Sequence, residues 1–200
     1  MAHIHSHQKP GSWESCIEFH GHSCPFLAAG YRAGIEAVKA LKLTFHHEEK
    51  IACIVENASC GLDALQMTLG CTTGKGNMIV EERGKQAFTI VNVMTEQAVR
   101  YMLKPKYHIT WEDQSDWEEK EKAILNDPVE TIFDIRMMEG VSVAIPDIAR
   151  LLTTVQCEVC GECVCEHMLH VQGRKKVCPA CFEPYEKKND SWSESMIKYL

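Results

Sequence analysis

The sequence predicts a core of mixed α-helices and β-sheet followed by a small zinc finger near the C-terminus. Three observations carry this reading. Apolar residues recur at helical spacing after Pro25 and again after Cys60, short apolar strand-like runs lie between and beyond them, and two Cys-x2-Cys pairs, Cys157/Cys160 and Cys178/Cys181, stand seventeen residues apart. A 200-residue chain that is 45% hydrophobic can bury one sizeable core and carry a minor appendage. The boundaries place a core domain at residues 1–152, the finger at 153–188 and a tail at 189–200.

The elements follow in order. Residues 1–10 alternate His3, His5 and His7 in a polar lead that reads as a loose terminus. A short helix is predicted from Trp13 to Phe19. In the next helix Pro25 suits the first helical position and Cys24 the cap, with Leu27, Tyr31, Ile35, Val38 and Leu41 on one face. His46 and His47 belong to a solvated connection. Ile51–Glu56 is a buried-strand run, after which Asn57-Ala-Ser59 turns the chain into a helix carrying Leu62, Leu65 and Leu69 and ending at Gly70.

Beyond the loop 70–77, Met78–Glu82 and Ala87–Met94 read as two strands joined in a hairpin around Arg83-Gly84-Lys85. Thr95 is expected to cap a helix holding Val99, Tyr101, Met102 and Leu103. The charged stretch Trp111–Leu125 reads as a solvated helix anchored by Trp117 and Ile124, and Pro128–Met138 as a further short helix. Residues 141–156 run on toward the first Cys-x2-Cys pair.

Composition narrows the function classes. With 21 basic and 28 acidic residues the net charge is -7, and segment 157–188 is balanced, so no nucleic-acid partner is expected. No apolar stretch approaches the ~20 residues of a membrane helix and the start lacks signal-peptide order, so no membrane partner is expected and a cytoplasmic location is. Eleven cysteines in that compartment point to metal ligation or catalysis rather than disulfides.

The two C-terminal pairs supply four thiolates on two tight turns, the tetrahedral set that zinc prefers, and a helix from Cys181 through Lys188 would make the module a treble clef. A module this small draws much of its folding free energy from its ion. Cys163 and Cys165 exceed the pattern. With Cys163 included, the run echoes an iron–sulfur ferredoxin, although the fourth cysteine stands too far off. His167 and His170 are substitute ligands if a cysteine is displaced.

In the core, chemistry gathers at three places: His20-Gly-His22-Ser-Cys24-Pro25, the strand-to-helix turn at Cys60 with Asp63 one turn on, and the loop with Cys71, Thr72 and Lys75. A helix N-terminus favours thiolate, which suits Cys24 and Cys60 to metal binding or nucleophilic attack. The loop GCTTGKG fails as a P-loop in spacing and context, yet a backbone nest with Lys75 could hold an anionic group. Cys16 and Cys53 read as small buried hydrophobes.

The stretches FHGHSCP (19–25), ENASCGLDALQ (56–66), GCTTGKGN (70–77) and CEVCGE with CPAC (157–162, 178–181) closely resemble the FmdE family of formylmethanofuran dehydrogenase subunits. The resemblance implies an α+β core domain, a homodimer, a treble-clef finger found in some members, and a core metal or active site of His20, His22, Cys24, Cys60, Asp63 and Cys71. It also implies association with subunits of a molybdenum or tungsten oxidoreductase.

The expected function is therefore a metal-binding protein with a structural zinc in the finger and a second ion in the core, serving such an oxidoreductase or processing a small molecule. In the catalytic version His22 and a thiolate such as Cys60 hold an ion that polarises a carbonyl or activates water, Asp63 handles a proton and Lys75 orients an anion. The alternative is a non-catalytic metallochaperone, sensor or adaptor that uses the finger for protein contacts.

Overall fold

A computed structural model describes residues 10–45, 50–109, 116–145 and 153–184. The chain divides into two compact units, Met1–Ala149 and Arg150–Leu200. The histidines of the N-terminal lead, His46 and His47 lie outside the described residues.

The first unit opens with α1 (Trp13–His20), capped by Ser12, whose side chain accepts from the Ser15 N–H. Gly21, at φ 93, ends it in the left-handed region and turns the chain within four residues into α2 (Pro25–Ala40). Pro25 takes the first helical position and the Cys24 sulfur accepts from the Leu27 N–H, as expected. β1 (Ile51–Val55) leads through the Ser59 cap into α3 (Cys60–Leu69), which Gly70 closes at φ 64.

The sheet is completed by β2 (Met78–Val80), β3 (Ala87–Asn92), β4 (Gln97–Leu103) and β5 (Phe133–Met138), in the order β2-β1-β3-β4-β5. β2 runs parallel to β1 and the other pairings are antiparallel. One face carries Cys53, Val55, Phe88, Ile90, Val99 and Tyr101 into the main core with Ala28, Ala33 and Leu65 from the helices. On the other face Ala52, Val91 and Ala98 are covered at one end by Val141, Val143 and Ile145.

Three expected elements are corrected. β2 and β3 form no hairpin. They flank β1, and the loop between them rounds its end, where Arg83 and Lys85 N–H groups donate to the Glu56 carbonyl at 3.0 and 3.2 Å. The true hairpin joins β3 to β4, in place of the predicted helix capped by Thr95. Asn92 Oδ1 accepts from the Met94 and Thr95 N–H groups at 3.1 and 3.3 Å and starts the turn, and Val99, Tyr101 and Leu103 then alternate into the core. Pro128–Met138 yields only a single helical turn, α5 (Val129–Ile132), before β5. Here pairing with β4 from Leu103–Phe133 to Ala98–Met138 overrides the local helix signal. The charged helix is present as α4 (Trp117–Asn126), anchored by fully buried Ile124.

Where β1 ends, buried Glu56 accepts from Arg100 Nε at 2.7 Å. That bond, with further help from Arg83, holds the carboxyl below its ordinary value. A depressed carboxyl stabilises the fold above the unfolded-state value of about 4.3 and stops doing so as pH falls through its own lower value. Glu56→Gln is expected to cost on the order of 2 kcal/mol at neutral pH and to flatten the acid limb of a stability-versus-pH curve, read by urea melts between pH 7 and pH 3.

The second unit consists of two hairpins, β6 (Thr154–Gln156) with β7 (Cys163–Cys165) and β8 (His170–Gln172) with β9 (Lys175–Val177). The first Cys-x2-Cys turn joins β6 to β7, and the second follows β9. Of the helix expected over 181–188, Cys181 ends a turn and 182–184 are irregular, while 185–188 lie outside the described residues.

Candidate metal centres

In the second unit the Sγ atoms of Cys157, Cys160, Cys178 and Cys181 all lie within 4.8 Å of one another. Cys160 and Cys178 Sγ are 3.9 Å apart, close to the edge of about 3.8 Å that a tetrahedron with 2.3 Å Zn–S bonds requires. The backbone prepares the thiolates. Gly161, at φ 78, lets the first turn close, and N–H groups of Cys160 and Cys178 aimed at Cys157 Sγ draw that thiol down to about 6. Val177 and Phe182 shelter the set. Cys163 and Cys165, two apart on β7, stand outside the group, as do His167 and His170, so the ferredoxin-like set through Cys163 does not form.

The first unit holds another such group: one ligand atom each from His20, His22, Cys24 and Cys60 lies within 4.8 Å of the rest. All four come from helix ends. His20 closes α1, the Gly21 turn sets His22 beside it with ring centroids 4.5 Å apart, Cys24 caps α2 and Cys60 opens α3. The helices meet there because Gly30 of α2 lies against Gly61 of α3 with no side chain between them.

Electrostatics favour metal at this point. The Cys24 thiol hydrogen-bonds to Cys60 and lowers it to about 5, with a further pull from His20, while Cys24 itself is pushed far up by the same bond and by burial. Of the two sulfurs, Cys60 is thus the readier to ionise. Burial pulls His20 down, but Asp63 and the Cys60 thiolate outweigh it and leave the imidazole above its ordinary value. His20 Nδ1 is 2.7 Å from Asp63 Oδ2, and Gln66 Nε2 donates to the other Asp63 oxygen at 3.0 Å.

His20 Nε2 is buried with no hydrogen-bond partner, on the side of the ring away from Asp63. A buried imidazole nitrogen left over in this way, on a residue grouped with the sulfurs of Cys24 and Cys60, fits a metal ligand whose opposite nitrogen is fixed by a carboxylate. Above it opens a cleft of about 450 Å³ lined by His20, Ala58, Ser59, Cys60, Leu62 and Asp63.

Two of the expected residues are not brought here. Cys71 is fully buried beside Cys53, its thiol donating to the Ile51 carbonyl at 3.5 Å. Lys75 folds back on the C-terminus of α3, its Nζ donating to the Gly70 carbonyl at 2.8 Å. Both follow the far end of α3, whose ten residues put about 15 Å between them and Cys60. The Gly70 carbonyl takes Lys75 as its partner, and no anion nest is needed to explain that lysine. The sequence shows Ser59 only as part of a turn. Its hydroxyl donates to Gln86 Oε1 at 3.0 Å and so leaves the first N–H groups of α3 without a side-chain cap beside the cleft.

Comparison with known proteins agrees with this architecture. The family model described as "FmdE, Molybdenum formylmethanofuran dehydrogenase operon" matches residues 19–142. A probable S-adenosyl-L-methionine-binding protein of Archaeoglobus fulgidus is 31% identical over 173 residues, covering 72% of this chain and 46% of the relative, so the chain spans less than half of that protein. The crystal structure of a tungsten formylmethanofuran dehydrogenase FmdE-like protein from Syntrophus aciditrophicus superposes with a TM-score of 0.58 at 22% identity, covering 84% of this chain and 88% of that one. No helix among the described residues is long and apolar enough to cross a membrane.

Proposed function

We propose, from the premise that this chain belongs to the FmdE family, that it carries two metal ions with different duties. Zinc on Cys157, Cys160, Cys178 and Cys181 holds the C-terminal unit together. A second ion in the core, held by His20, Cys24 and Cys60 with His22 as the exchangeable ligand, is the working centre. The chain serves a molybdenum or tungsten oxidoreductase by processing a small molecule there. The observation that carries the core assignment is the convergence of His20, His22, Cys24 and Cys60, whose ligand atoms all lie within 4.8 Å of one another, with the Nε2 of His20 buried there.

The division of labour follows burial. Cys24 is buried and His20 and Cys60 are half-buried, whereas His22 is exposed at the rim. A site that keeps three fixed protein ligands and one replaceable position suits reaction rather than structure. An ion so placed supplies Lewis acidity to a bound carbonyl or water. The chain's own residues do the rest. Asp63 fixes the tautomer of His20 so that Nε2 presents its lone pair, Gln66 steadies Asp63, and Ala58 and Leu62 give the cleft apolar walls. Asp63 is thereby a positioning residue, and its expected role as proton carrier passes to solvent or substrate.

Chelator competition on the intact protein tests this arrangement. Asp63→Asn is expected to weaken the core ion by about 10- to 100-fold with the finger ion unchanged. His22→Ala is expected to weaken it by less than Asp63→Asn does. If both variants hold the core ion as wild type does, or if His22→Ala alone strips it, the ligand assignment fails.

A further inference from the structure

The hairpin of β6 and β7 carries two thiols that neither metal centre uses. Its register sets Thr154 opposite Cys165, Val155 opposite Val164 and Gln156 opposite Cys163. The bonds at its two ends fix the phase: the Cys157 N–H donates to the Glu162 carbonyl and the Glu166 N–H to the Thr153 carbonyl, both at 2.9 Å. Side chains alternate along each strand, so Thr154, Gln156, Cys163 and Cys165 share one face and Val155 and Val164 the other. Val164 packs against the cluster of Cys157, Val177 and Cys178, which turns the Cys163 and Cys165 face away from the four-sulfur group. Cys163 is accordingly exposed and Cys165 half-buried.

Spacing decides what this pair of thiols can hold. Two residues along a strand span about 6.6 Å, and their Cβ atoms stand about as far apart, beyond the roughly 4.5 Å that a disulfide tolerates. Sulfurs leaning toward each other still reach a common ion, because two metal–sulfur bonds of about 2.3 Å set end to end span about 4.6 Å. Among the described residues no third histidine, cysteine or carboxylate atom forms a compact group with the two, so the four-ligand demand of zinc is not met. Monovalent copper belongs to the class of ions that soft sulfur donors select. The surroundings suit a cation as well. Glu162 and Glu166 flank the pair, and no lysine or arginine occurs from residue 157 through 173.

We infer that Cys163 and Cys165 form a further metal site, which takes one soft monovalent ion of the copper(I) class between the two sulfurs. The ion replaces the thiol protons, two S–H bonds giving way to two metal–sulfur bonds. A site on an exposed strand face, with only two protein ligands, stays open to an incoming thiolate. It therefore suits an ion that is carried and handed on rather than one that holds the fold. None of the core ligands takes part, so this site stands or falls separately from the core centre.

Anaerobic titration of the full-length, zinc-loaded chain with copper(I), against a competing chelator and with released zinc followed in the same samples, tests it. Wild type is expected to take up copper without losing zinc. Cys163→Ser and Cys165→Ser are each expected to bind one equivalent less than wild type, an affinity loss of about a hundredfold or more at that site, and to keep their zinc. Copper drawn to the core or to the four-sulfur group is common to all three proteins and cancels in the comparison. A wild type that binds copper only as zinc leaves overturns the inference, and so do variants that match wild type in copper bound. Loss of zinc from either variant would assign that sulfur to the zinc of the same unit and overturns it as well.

Discussion

Cys60→Ser is expected to leave a folded protein with one equivalent of metal where wild type holds two. The serine hydroxyl does not ionise near neutral pH, so the core loses the sulfur drawn down to about 5 by Cys24 and His20, the one most ready to bind without displacing a proton. Zinc bound by four ligands in a small module is worth about 10–16 kcal/mol, so one soft ligand accounts for about 3 kcal/mol, a loss of a hundredfold or more in affinity. The fold has little stake in this atom. Cys60 is half-buried at the first position of α3, beside a main core built from Leu65, Phe88 and Tyr101 rather than from the sulfur.

The contrasting variant is Cys178→Ser. It also removes one equivalent, but from a unit whose buried side chains among the described residues are Cys157, Val177 and Cys178. A unit that small does not hold its shape without its ion. Elemental analysis beside limited proteolysis separates the two cases. Cys60→Ser gives a resistant chain, and Cys178→Ser gives one cleaved within 153–184. If Cys60→Ser keeps both equivalents at wild-type affinity, the core centre is not built on Cys60.

The two long helices near the core site are legible in the sequence because their signals are local. Pro25 after Cys24, Gly70 at the end of α3, and leucines at helical spacing in α3 each act within a few residues, and the structure realises all of them. The strand β4 is not legible, for the opposite reason. Val99, Met102 and Leu103 fit a helical period as well as Val99, Tyr101 and Leu103 fit a strand, and the choice is made by β3 and β5 on either side. Likewise no residue near Val80 announces that the chain will pass around the end of β1 and pair on its other side. Among site residues, His20, His22, Cys24 and Cys60 declare themselves by their positions at helix ends. Cys71 and Lys75 join them through motif alone, although the predicted length of α3 already puts a helix between them and Cys60. Residues that work through another side chain leave the faintest trace: Gln66 stands out only as one turn beyond Asp63, and nothing in the sequence shows Ser59 turning to Gln86.

Gly30→Ala is expected to be the most damaging single-methyl change in the chain. A Cβ on Gly30 would fall 2.5 Å from Gly61 Cα and closer still to the Gly61 carbonyl oxygen, and these are backbone atoms that cannot rotate away. Nor can α3 retreat freely, because Gly61 is backed by Phe88 of β3, whose ring would lie 2.7 Å from a Cβ placed there. Overpacking ordinarily costs about 1–3 kcal/mol, and a backbone clash with no soft neighbour belongs at or above the top of that range. Alanine's better helix propensity returns only about 1 kcal/mol. The net loss of about 2 kcal/mol or more lowers the melting temperature by roughly 4–8 °C for a chain of this size. The same displacement separates the start of α3, where Cys60 sits, from α2, whose cap is Cys24, so the core ion weakens although no ligand has been touched. Melting curves taken with and without a chelator check both effects together. A Gly30→Ala protein that melts with wild type and keeps its core metal would mean that something other than the Gly30–Gly61 contact holds the two cysteines in reach of one another.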